Sequence, residues 1–135
     1  VGLGSRTSPA AAEQLSEHVE VETLHLGSDV MHLDTRMTVL SDRHALVHAP
    51  SLTDRDLGRL RERFELIEVT DDECRALATN VFVVDPETVV LDRRQHRIAG
   101  ELGSRGFRPV EVDYSEPIAL SGSFRCATLP LSRTA

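Results

Sequence analysis

A chain of 135 residues, 40% apolar and 27% charged, is the size of one small globular domain with a modest core. Its net charge of −7 and its scattered Lys and Arg positions argue against a nucleic-acid footprint, and no apolar run is long enough to span a bilayer. No signal-peptide pattern opens the chain, so a reducing cytoplasm is the expected compartment. There Cys74 and Cys126 read as two free thiols. Aromatic residues make up only 4% and Trp is absent, which leaves the core to Val, Leu, Ile and Ala.

Val1-Gly2-Leu3-Gly4 reads as the tail of a strand that begins abruptly. Ser8 followed by Pro9 is an N-cap with proline at the first helical position, predicting a helix to about His18. Alternation over Val19 to Leu24 predicts a half-buried strand, and Gly27-Ser28-Asp29 ends it, placing His32 and Asp34 on or beside a loop. Met37 to Leu40 and Ala45 to His48 flank the turn residues Ser41-Asp42-Arg43 as a hairpin. Thr53 opens a helix with Leu57, Leu60 and Phe64 at helical spacing, and Phe64 to Val69 is the next strand. Thr70 and Glu73 have the spacing of a capping box, so a short helix carries Cys74 and ends at Asn80. A second hairpin over Val81 to Val84 and Val89 to Leu91, a helix across Arg94 to Leu102 closed by Gly103 and Gly106, and a strand from Phe107 to Asp113 follow.

Hairpin, helix and strand thus occur twice, at an offset of about 43 residues that aligns Phe64 with Phe107, Val69 with Val112 and Val47 with Val90. A partial third copy precedes them, so the expected modules cover about 1–36 (partial), 37–79 and 80–135. Units of this kind cannot bury both faces alone and lean on neighbours.

The residues with chemistry to offer are Cys126, after the small run Ser121-Gly122-Ser123 and before an apolar, strand-like segment, and His32 with Asp34 nearly a hundred residues earlier. Each has a plain structural reading: a buried free thiol, one of six solvated histidines, a loop carboxylate capping an amide. Spacing alone does not choose among the histidines, and none is spaced with another as in a closed zinc site, so no metal is expected. Arg6 reads equally as a surface ion-pair residue or as a clamp on a substrate carboxylate.

His32-Leu33-Asp34-Thr35 and the run from Ser121 to Cys126-Ala127-Thr128-Leu129-Pro130-Leu131 resemble two motifs of the guanidino-group-modifying enzymes: arginine deiminases, amidinotransferases and dimethylarginine hydrolases. Gly4-Ser5-Arg6-Thr7, Ala78-Thr79-Asn80 and Val112-Asp113-Tyr114-Ser115-Glu116 extend the likeness in order along the whole chain, which resembles the C-terminal half of such an enzyme. The resemblance implies an α/β fold, a partial α/β propeller (pentein) of repeated ββαβ modules, about half of a five-module ring. It implies Cys126 as nucleophile, His32 as acid/base, Asp34 on the guanidinium, and Arg6 and Arg125 near the substrate. Arg125 stands where the most similar motifs often carry histidine, and the usual glycines are reduced to Ser-Gly-Ser. The expected substrate is a small guanidino compound such as arginine, hydrolysed to a ureido product without cofactor. Amidino transfer to an amine and a non-catalytic propeller half are the alternatives, and the motif with Asp34 points toward the deiminase and amidinotransferase branches. The implied partner is an N-terminal half of the same enzyme or a second chain.

Overall fold

The computed structural model describes residues 1–131, so the last four residues of the third expected module lie outside the described residues. The chain opens with β1 (Gly2–Leu3), α1 (Pro9–Ser16) and β2 (Leu24–His25), the two strands pairing in parallel. At α1 the Ser8 side chain accepts from the Ala11 amide and Pro9 fills the first turn. The strand expected from Val19 shrinks to two residues, because alternation supplies a pattern but not a ladder, and β1 pairs only with Leu24 and His25.

A 3-10 turn over Leu33–Thr35 leads into β3 (Met37–Val39), which pairs antiparallel with β4 (His44–Val47). The helix α2 (Asp54–Arg63) crosses over, and β5 (Glu65–Glu68) returns parallel to β4. Next comes α3 (Asp71–Arg75), whose Thr70 and Glu73 make both halves of the capping box. The chain then repeats itself as β6 (Phe82–Val83), β7 (Thr88–Asp92), α4 (His96–Ser104) and β8 (Arg108–Val112), again one antiparallel and one parallel pair. Two short helices follow, α5 (Ser115–Ala119) and α6 (Phe124–Ala127). The apolar run after Cys126 forms no strand: Cys126 lies within α6, and Leu129 and Leu131 are exposed, with no neighbouring strand to pair with.

Strand register fixes the correspondence between the two modules. His44 faces Glu65 as Thr88 faces Arg108, and Val47 faces Glu68 as Leu91 faces Glu111. Phe64 and Phe107 hold equivalent buried places just before the returning strand, but Val47 corresponds to Leu91 instead of Val90. The crossover in the first module is one residue longer, so a single offset fitted on the returning strands misplaces the hairpin by one. One such slip inverts a residue's face.

The strand β4 has core on both sides. Ala45 and Val47 pack with Leu24, Met37, Leu60 and Phe64, while Leu46 joins a larger cluster with Ile67, Val69, Cys74, Val89, Leu91, Ile98 and Leu102. The larger cluster spans both full modules, so each module completes its neighbour's core.

Candidate active site

The turn Leu33–Thr35 is held by its own local bonds: the Thr35 amide and hydroxyl both donate to the His32 carbonyl, the hydroxyl at 2.7 Å. It presents His32, exposed, and Asp34, half-buried, to a hollow of about 260 Å³ that Gly2, Thr7 and Met31 also line. The Asp34 Oδ1 is buried and has no hydrogen-bond partner. A carboxylate oxygen withdrawn from water without a donor is costly, and it becomes favourable once a cationic donor arrives. Arg6 is exposed at the tip of the tight turn in which the Gly4 amide donates to the Thr7 carbonyl, beside the hollow that Thr7 lines. A larger hollow of about 370 Å³ shares Leu33 but lies among Val1, Glu22, Met37, Leu60 and Phe64, and it holds none of the candidate residues.

Cys126 is the exposed thiol and Cys74 the buried one. Burial, foremost, pushes the Cys74 thiol above its ordinary pKa, against the pull of Arg36. Its Sγ donates to the Thr35 carbonyl at 3.7 Å, supporting the turn from behind. Of the two sulfurs, Cys126 is therefore the one an external electrophile can meet. Arg125 beside it is exposed.

Asn80 joins the two halves of the site. It is fully buried, and its Nδ2 donates to the Asp34 carbonyl at 3.3 Å while its Oδ1 accepts from the Arg125 amide at 2.9 Å and from Cys126 Sγ at 3.8 Å. Its own carbonyl accepts from the buried Ser123 hydroxyl at 3.2 Å. A single carboxamide thus spans from the turn with Asp34 to the helix with Cys126. The sequence marks Ala78-Thr79-Asn80 as a motif, but nothing in it shows this bridge, which links residues 45 or more apart.

A second support was also not legible. The buried carboxylate of Asp92 accepts from the amides of Arg94 and Tyr114 and from the Arg94 guanidinium. The Tyr114 ring stacks on Phe124 with centroids 4.1 Å apart and planes 18° from parallel. Phe124 opens the helix that carries Cys126, so β7 steadies that helix through one carboxylate and one ring pair. Among the described residues no group of three or more His, Cys, Asp or Glu could hold a metal ion, and no helix is long and apolar enough to cross a membrane.

A family model described as N,N dimethylarginine dimethylhydrolase, eukaryotic, matches residues 1–133. The chain belongs to that family. It is 34% identical over 136 residues to the uncharacterized protein YkgA of Bacillus subtilis (strain 168), covering 98% of this chain and 48% of that protein. It is 29% identical to the N(G),N(G)-dimethylarginine dimethylaminohydrolase of Mycobacterium tuberculosis, covering 96% of this chain and 44% of the relative. The chain spans about half the length of these curated relatives. Its fold is that of ArgZ, described as an arginine dihydrolase from cyanobacteria: the apo structure matches with a TM-score of 0.90 at 21% identity, over 100% of this chain and 22% of that one. The ββαβ modules are therefore those of the guanidino-modifying pentein superfamily. The family model is that of the dimethylarginine hydrolases, whereas the motif around Asp34 resembles the deiminase and amidinotransferase branches.

Proposed function

We propose that this chain carries the nucleophile, the acid/base and one guanidinium-binding carboxylate of a guanidino-group hydrolase acting on arginine or an arginine derivative. The observation that carries the reading is Asp34, which lines a hollow with His32, keeps a buried Oδ1 without a partner, and stands one carboxamide away from the accessible thiol. A guanidinium supplies the planar donors that such an oxygen lacks. Cys126 Sγ adds to the central guanidinium carbon, and the bond to the departing amine breaks as His32 protonates that nitrogen, leaving a thiouronium on sulfur. Water, losing its proton to the same imidazole, then adds to that carbon. The carbon–sulfur bond breaks, giving a ureido product and the free thiol. Arg6 and Arg125, both exposed, are the cations this reading assigns to a substrate carboxylate, and no cofactor enters any step.

Amidino transfer differs only in the second acceptor, an amine in place of water, and the likeness of His32-Leu33-Asp34-Thr35 to the amidinotransferase motif favours it as the alternative. The completing partner is a further module set, from the same protein or a second chain, that brings the remaining carboxylates. Labelling tests the reading without requiring turnover. A haloacetamidine should modify Cys126 well ahead of Cys74 and faster than the neutral haloacetamide does, and Asp34→Asn should abolish that preference for the cation. Equal labelling of the two thiols by the amidine, or no preference over the amide, would identify a relic site in a non-catalytic propeller half.

A further inference from the structure

We propose that Asn80 is the positioning residue of this site, a buried carboxamide that holds the helix bearing Cys126 in register with the turn bearing Asp34. The inference rests on the reading of Cys126 as nucleophile for its functional meaning, but not for its geometry. The helix α6 has no side-chain cap of its own at Ser123. Its cap comes from 45 residues upstream, where Asn80 Oδ1 takes the Arg125 amide, the second of the helix. The carboxamide cannot be turned over, because the Asp34 carbonyl needs the donor and the Arg125 amide needs the acceptor. Every polar group of Asn80 is engaged, since its amide donates to the Leu77 carbonyl at 2.9 Å and its carbonyl accepts from Ser123. Leu77 itself stands at φ 57, a left-handed conformation unfavourable for leucine, on the short path from α3 to Asn80. Such strain persists where the surroundings over-determine a conformation, and here it delivers the carboxamide to its place.

Aspartate is nearly isosteric but lacks the donor and adds a negative charge beside Sγ. Glutamine is one methylene too long for both partners, and alanine leaves the Asp34 carbonyl and the Arg125 amide unanswered. The full chain is titrated with iodoacetamide, reading Cys126 by mass spectrometry against Cys74. In Asn80→Asp the pH midpoint of Cys126 alkylation should rise by at least about one unit, because a like charge next to a thiolate disfavours it. That shift reads the contact between the side chain at 80 and Sγ, and a side chain turned away from the thiol would leave the midpoint in place. In Asn80→Ala the preference of Cys126 for haloacetamidine over haloacetamide should fall about tenfold, as Asp34 and the thiol lose their common reference. Should either variant fail to fold, the wild type still decides: the side-chain amide resonances of Asn80 should titrate with the Cys126 midpoint. Flat resonances, or an unmoved midpoint in folded Asn80→Asp, overturn the proposal. If wild-type Cys126 shows no preference for the amidine but the Asn80 side-chain amide resonances still titrate with the Cys126 midpoint, the guanidino reading fails and the positioning role stands.

Discussion

Ser121, not Gly122, adopts the left-handed backbone in the small-residue run before Cys126, with φ at 63°. The Ser121 amide and the Gly122 amide donate back to Ile118 and Pro117, so the run caps the end of α5 before the chain enters α6. A Cβ added at Gly122 would make only ordinary contact with the Pro117 carbonyl, at 3.6 Å. Ser121→Gly should therefore stabilise the chain by about 0.5–1 kcal/mol, the relief of left-handed strain less the added freedom of the unfolded glycine. Gly122→Ala should change stability by less than about 0.5 kcal/mol. Chemical denaturation of both variants checks the pair, and the reverse order would return the flexible role to Gly122. Asp92 belongs to the same scale. Burial raises its pKa most, but the Arg94 guanidinium and the amides of Arg94 and Tyr114 outweigh it, so its carboxyl lies below the ordinary aspartate value. A depressed carboxylate stabilises the fold fully above its unfolded pKa and loses that contribution as pH falls through its folded one. Asp92→Ala should cost about 2–3 kcal/mol at neutral pH and flatten the acid limb of the stability curve, because two amides lose their acceptor at once.

At the scale of elements, the helices fasten each module to the one before it. Arg63 pairs with Glu22 and Arg59 reaches the Thr23 carbonyl, so α2 is stitched to the segment entering β2. One module later Arg97 of α4 pairs with Glu73, its Nε 2.8 Å from Oε1, and reaches the Glu68 carbonyl, while Arg105 pairs with Glu65. The Arg97 guanidinium, foremost, holds the Glu73 carboxyl below its ordinary value against the effect of burial. That contribution is present above the unfolded glutamate pKa and fades as pH drops through the folded one. Arg97 remains partly exposed, so a double-mutant cycle of Arg97→Ala with Glu73→Ala should give a coupling of only about 0.5–1 kcal/mol near pH 7, lost as pH falls through the folded Glu73 pKa. A coupling insensitive to acid would show that packing of the arginine stem carries the effect. The elements most legible in the sequence are those with local causes: the Ser8-Pro9 start, the Thr70–Glu73 box, and the hairpins broken by Ser41-Asp42-Arg43 and Asp85-Pro86-Glu87. Those that were not legible depend on distant partners. The segment before β2 found too little ladder, the described residues 127–131 after Cys126 found none, and α5 and α6 are set by Tyr114, Asn80 and Asp92. The motifs with Asp34 and Cys126 could be picked out from the family likeness, but the carboxamide between them could not, because hydrogen bonds across 45 residues leave no periodicity to read.

At the scale of the whole molecule, the described modules stack in a row, and the outer face of the second full module is a partly exposed valine surface. The first full module buries Leu40, Leu46, Ile67 and Val69 against the second. Register carries these positions onto Val84, Val90, Val110 and Val112, of which Val84 is 47% exposed and Val110 and Val112 38% each, where their counterparts are at most 5%. The residues that fill the equivalent contact inside the chain are Val89, Leu91, Ile98 and Leu102, all from the facing side of a module of the same kind. A further ββαβ unit presenting that side is the occupant this valine face fits, and covering the face would contribute about 1 kcal/mol per valine. In a solution of this chain alone the face can meet a second copy, so sedimentation should show a weight-average mass that rises with concentration, and Val84→Lys with Val110→Lys should hold the chain monomeric without lowering its own stability by more than about 1 kcal/mol. If the proposed further module set is supplied as a separate chain, the same two lysines should weaken its docking, read as a smaller gain in amidine labelling at Cys126. A chain that is monomeric at every concentration, and that docks an added module set equally well with both lysines in place, would put any such joint elsewhere on the molecule.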